Sequence, residues 1–137
     1  MPQRINHLAA WVAALVYFVF GAIWYGALSG PWQAYMGGKG APSTPGLYIG
    51  SFILGLMLAY ATAVALARRP EDQTLTQGVS FALFIGIAVF ATQTLNQALY
   101  EARPFGLWLI DAGYVVIGFA LIGAIVGGWK MRAAQKG

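Results

Sequence analysis

Cysteine is absent from this 137-residue chain, which removes disulfides, thiolate metal sites and cysteine nucleophiles together. Charge is nearly absent too. Asp, Glu, Lys and Arg make up 9% of the residues, against roughly 25% in a soluble domain, too few to clothe a water-facing globule. The lone histidine, His7, has no second imidazole at ligand spacing, so no metal site is expected. Ser-His-Asp, HExxH and GxSxG patterns are missing. In MGGKGAPST, Gly40 stands where a nucleotide-binding loop needs Ser or Thr. No catalytic residue and no cofactor is assigned. The net charge is +4, but the basic residues sit singly or in pairs at segment ends, which speaks against a nucleic-acid partner.

What is present is hydrocarbon: 59% of the residues are hydrophobic and the mean hydropathy is +0.66. Four apolar segments emerge, at 6–28, 46–67, 76–99 and 105–129. Each is long enough to cross a hydrocarbon core of about 30 Å at 1.5 Å per residue. The fold expected is all-α, an antiparallel transmembrane four-helix bundle forming a single integral membrane domain over 1–137. The first segment has Arg4 before it and the small Ala27 and Ser29 after it, as a signal peptide would. Its apolar run is longer than the usual ~7 to 15 residues and it ends in the interfacial anchors Trp24 and Tyr25, so it is expected to be retained as a span.

Positive charge sets the orientation. Arg4, Arg68, Arg69, Lys130, Arg132 and Lys136 fall on one side of such a bundle, and Lys39 and Arg103 on the other. The richer side is expected to be cytoplasmic, with both termini on it. The connection at 29–45, with Gly30, Pro31, Gly37, Gly38, Gly40, Pro42 and Pro45, is expected to be irregular, held at the headgroups by Trp32 and Tyr35. The other two connections are short, which makes consecutive helices antiparallel neighbours.

Lipid is as apolar as leucine, so spans associate through small residues and interhelical hydrogen bonds. Ser51, Gly55, Ala59, Ala63 and Ala67 form one small-residue ridge, and Gly123 and Gly127 another. At 100° per residue, Gly78, Ala82, Gly86, Val89, Gln93, Asn96, Gln97 and Tyr100 share a side of the third span, opposite Phe81, Phe84, Ile87 and Leu95. On the fourth span, Asp111 shares a side with Tyr114, Gly118 and Ile122, while the glycine ridge faces the other way. One helix of a small bundle seldom buries both sides, so one of them is expected to face a second copy in a homo-oligomer.

A carboxylate within a span costs about 2.5 to 3.5 kcal/mol at the helix centre. Asp111 is therefore the leading functional candidate, its plain alternative being a structural pair with Arg103 or a near-interface group that reaches water. Trp24, Tyr25, Gln93, Asn96, Gln97, Glu101, Arg103, Asp111 and Tyr114 are expected to bound an outward-opening polar pocket. The plain alternatives are interhelical glue for the amides, a solvated turn for Glu101 and Arg103, and an interfacial belt for Trp24, Tyr25, Trp32, Trp108 and Trp129.

Asn6, Gly21, Trp24 and Tyr25, then Glu101-Ala-Arg103-Pro104 and Ile110-Asp-Ala-Gly113-Tyr114, resemble the small four-span bacterial proteins grouped as "domain of unknown function 1761". The resemblance runs over about residues 5 to 129 and implies a multi-pass protein of the bacterial cytoplasmic membrane; it implies no catalytic residue. After Tyr25 the family tends to continue with a Ser-Pro turn, whereas this chain reads Gly26-Ala27-Leu28-Ser29-Gly30-Pro31-Trp32, which implies a different outer connection. The function expected is non-enzymatic: a transporter-like or channel-like unit, or a binder of a small solute or lipid headgroup. The alternative is an interaction protein that docks a partner, or itself, through its small-residue ridges.

Overall fold

The computed structural model describes residues 5–38, 44–68 and 73–129. Arg4, Lys39, Arg69, Lys130, Arg132 and Lys136, and the Gly40 and Pro42 part of the first connection, lie outside the described residues. Among the described residues there are five helices: α1 (His7–Ala27), α2 (Ser29–Met36), α3 (Pro45–Ala67), α4 (Leu75–Tyr100) and α5 (Phe105–Gly128). All but α2 are long and apolar enough to cross a membrane. The first connection is therefore not irregular throughout. Gly30 and Pro31 fall in the opening turn of α2, where proline costs nothing because its missing N–H would have no helical partner.

Helix starts are written in the sequence. Asn6, Thr44 and Thr74 each accept a hydrogen bond from the N–H three residues on, which satisfies donors that hydrocarbon would leave bare. The Asn6 amide also donates to the Trp129 carbonyl at 3.3 Å. The start of α1 and the end of α5 therefore meet at one end of the bundle, as an even number of spans requires. At the same end Gln73 donates to the Val126 carbonyl.

The core is small-residue packing, with α5 at its centre. On one side, Gly123 and Gly127 meet Gly78 of α4 so closely that a Cβ on Gly127 would lie 2.8 Å from the Gly78 Cα. On the other, Gly118 and Gly113 receive the rings of Tyr17 and Trp24 from α1. Both sides of α5 are thus covered by helices of its own chain, and Gly123 and Gly127 form a contact within the chain rather than one left for a second copy. On α3, Gly55 and Ala59 are buried, with Gly55 against Tyr17, whereas Ser51 at the head of that ridge is exposed.

The α4–α5 elbow ends α4 with Ala102 in the left-handed region at φ 54°. Arg103 N–H donates to the Ala98 carbonyl at 2.9 Å and Ala102 N–H to Leu99 at 3.3 Å, a pairing that glycine usually hosts. Alanine there is strained by about 1 kcal/mol. Ala102→Gly is expected to raise the unfolding free energy by roughly 0.5 kcal/mol once the greater freedom of unfolded glycine is set against that relief. Thermal unfolding of the purified protein in detergent checks this.

Candidate functional site

The third span carries a feature that its pattern does not announce. Its middle turn, Gly86–Ala91, is π-helical. An extra residue in a turn rotates everything after it by about 100°. Gly78, Ala82 and Gly86 are buried, and Phe84 and Ile87 face outward, as the 100° register requires. Beyond the π turn the register moves: Ala98 is buried, while Val89, Gln93, Asn96, Gln97 and Tyr100 are exposed. Gln93 and Asn96 are thereby turned away from the pocket expected for them.

The widened turn also explains the polar run that follows it. Carbonyls that a π turn releases need donors in a dry environment. The Thr92 hydroxyl donates to Ala88 and Val89, and that of Thr94 to Phe90 and Ala91. The Trp108 indole N–H crosses from α5 to the Ala91 carbonyl at 3.2 Å and to Thr94 Oγ1 at 3.1 Å. Trp108 is therefore an interhelical clasp as well as a ring near the end of its span.

A second clasp joins α1 to α5. The Trp24 indole N–H donates to the Ile110 carbonyl at 3.0 Å, and the Tyr25 hydroxyl donates to Asp111 Oδ1 at 2.7 Å. Two consecutive residues of one helix thus hold two consecutive residues of the other. Gly113 makes room for the Trp24 ring, since a Cβ there would lie 2.9 Å from it. Gly21 does the same for Tyr114. Asp111 is the seventh residue of α5, about 9 Å along the helix. Its partner is Tyr25 rather than Arg103. Arg103 instead pairs with Glu101, Nε to Oε2 at 3.2 Å, an exposed contact at the elbow that Gln97 joins through Glu101 Oε1 at 3.3 Å.

Around these clasps, among the described residues, the elbow end of the bundle shows three spaces. The largest, about 520 Å³, lies between α1 and α3 and is lined by Tyr17, Phe18, Gly21, Ala22, Tyr25, Gly26, Leu47, Tyr48, Ser51 and Tyr114. A cavity of about 100 Å³ lies between α4, the elbow and α5, lined by Thr94, Gln97, Ala98, Arg103, Leu107, Trp108 and Asp111. A recess of about 400 Å³ under α2 holds Tyr35, Met36, Glu101 and Arg103. The single pocket expected from the sequence is thus divided. Tyr25 and Tyr114 line the groove, Gln97, Arg103 and Asp111 the small cavity, and Glu101 and Arg103 the recess. Tyr17, Phe18, Tyr48 and Ser51 are among the groove residues that the sequence did not assign to it; Tyr17 shares a helical stripe with Gly21 and Trp24, which is the pattern that could have found it. Among the described residues no group of three His, Cys, Asp or Glu could hold a metal ion.

The family model DUF1761, described as a protein of unknown function, matches residues 8–127. The chain belongs to the DUF1761 family. The matched region begins within α1 and ends within α5, so it takes in both clasps and all four long helices of this DUF1761 protein. No curated protein and no solved structure matches it. Four apolar helices make it a membrane protein.

Proposed function

We propose that this DUF1761 protein is a binding protein of the bacterial cytoplasmic membrane, with both termini inside. The elbow end then faces outward, and the groove between α1 and α3 takes a small solute or a lipid headgroup from that side. The observation that carries this reading is the groove itself: about 520 Å³, lined by four tyrosines and a serine, against the helix pair that the Tyr25 and Asp111 bond holds in place. Ligand sites commonly fall between roughly 300 and 1,000 Å³, with apolar walls and a few placed polar groups. The positive charges on the termini side supply the orientation.

Gly26 gives a clean test. It lines the groove, and a Cβ built on it meets nothing within 4 Å. Gly26→Trp should therefore fill the groove with little strain on the backbone. Native mass spectrometry of the protein released from bilayer nanodiscs is expected to show an adduct of small-molecule or single-lipid mass on the wild type. Gly26→Trp should reduce its occupancy at least tenfold while leaving the unfolding temperature within a few degrees. Identical adducts on both proteins would remove the groove from consideration.

A further inference from the structure

Resting on the groove as the binding site, the geometry points to its ligand class: an organic ammonium, either a free amphiphilic cation or the ammonium of a phospholipid headgroup. Five aromatic rings line the groove, those of Tyr17, Phe18, Tyr25, Tyr48 and Tyr114. Tyr17 and Tyr114 stack on one another, centroids 4.9 Å apart and planes at 18°, and two further pairs meet at steep angles. Phe18 and Tyr48 reach across from α1 and α3 with centroids 6.3 Å apart and planes at 79°, and Tyr25 meets Tyr114 at 5.2 Å and 62°. Rings set at steep angles have faces pointing in more than one direction, which suits a quaternary or alkylated ammonium held by cation–π attraction.

The charge around the groove has the same sign preference. Among the described residues no lysine or arginine lines it. The carboxylate of Asp111 lies one hydroxyl behind its wall, accepting the Tyr25 proton at 2.7 Å. Donating that proton enriches the Tyr25 ring, and the carboxylate adds a negative potential that the surrounding hydrocarbon screens weakly. An anion would meet ring faces and a carboxylate together. Arg103, the cation nearest in the chain to Asp111 on the elbow, lines the separate small cavity and pairs with Glu101. A neutral ligand of the same shape gains the burial and none of the electrostatic term.

The test compares benzyltrimethylammonium with its neutral isostere neopentylbenzene by calorimetry on the full chain in phosphatidylglycerol nanodiscs. The cation is expected to bind at least tenfold more tightly. Asp111→Asn, which retains an acceptor for Tyr25, should weaken the cation about five- to tenfold and leave the isostere unchanged, and Tyr48→Leu should weaken the cation more than the isostere. Equal binding of both probes, lost in Gly26→Trp, would overturn the ammonium assignment and leave the groove as a binding site. Binding of neither probe would overturn the ammonium assignment alone, and cation binding that Gly26→Trp does not change would overturn both. Repeating the titration with phosphatidylethanolamine in the disc separates the sources: a lowered apparent cation affinity supports a headgroup ammonium, and an unchanged one supports a free cation.

Discussion

Gly123→Ala is expected to destabilise the bundle by about 3 kcal/mol, far more than one methyl group costs at an ordinary core position. A Cβ at Gly123 would run into the Gly78 carbonyl and lie 2.8 Å from the Ala82 Cβ, and one at Gly127 would lie 2.6 Å from the Thr74 carbonyl oxygen. These obstacles are backbone atoms and an alanine Cβ fixed to the backbone, which no rotamer change can move aside, so α4 and α5 must separate along that contact. In lipid no hydrophobic force repays the separation, because association there rests on packing itself. Gly50→Ala is the matching control: a Cβ there meets nothing within 4 Å, and alanine's better helix propensity makes it neutral or slightly stabilising. Unfolding titrations of both variants in mixed micelles check the pair. Equal midpoints for Gly123→Ala and wild type would mean that the α4–α5 contact is not as close as described. Because this packing is within one chain, the variant should lose its fold before it loses any oligomer.

That glycine pair marks where the sequence was legible and where it was not. The spans, their antiparallel order and the small-residue ridges follow from hydropathy and period alone, because hydrocarbon admits few ways to satisfy a backbone. Which helix each ridge touches does not follow, since Gly123 and Gly127 would serve a second copy as readily as they serve Gly78. The partner depends on the order of helices in space, with α5 between α1 and α4, and no local pattern encodes that order.

The candidate site was legible by halves for a related reason. Trp24, Tyr25, Asp111 and Tyr114 share one neighbourhood because polar groups at one depth in lipid must find each other. A constant 100° per residue carried through Gly86–Ala91 misplaces Gln93 and Asn96, while Gln97 still lines the small cavity beside Asp111. Apolar residues at those positions give no notice of a π turn. Its trace lies downstream, in Thr92 and Thr94, whose hydroxyls bond carbonyls three and four residues back. α2 escaped for the opposite reason: its glycine and proline are punctuation in most contexts, but at the first turn of a helix they do not interrupt it.

Tyr25→Phe is expected to cost about 2 kcal/mol, more than the ~1 kcal/mol of an average hydrogen bond, because it strands the Asp111 carboxylate without its donor inside the span. Two accounts of Asp111 compete. In one, Tyr25 holds the carboxylate; in the other, the small cavity that Asp111 also lines admits enough water to satisfy it. A cavity of about 100 Å³ has room for a few waters, so volume alone does not decide, but a double-mutant cycle does. If Tyr25 is the partner, Asp111→Asn should cost under ~1 kcal/mol, since the amide oxygen still accepts from the hydroxyl. Tyr25→Phe combined with Asp111→Leu should then be less destabilised than the sum of the single variants by about 1 kcal/mol, because no polar group is left stranded in either helix. If water is the partner, Tyr25→Phe should unfold with the wild type and the double variant should cost the sum of its parts. The first outcome makes the Trp24-Tyr25 and Ile110-Asp111 clasp the fixed wall of the groove. It also implies that a ligand drawing Tyr25 away from Asp111 would loosen the contact between α1 and α5 as it binds.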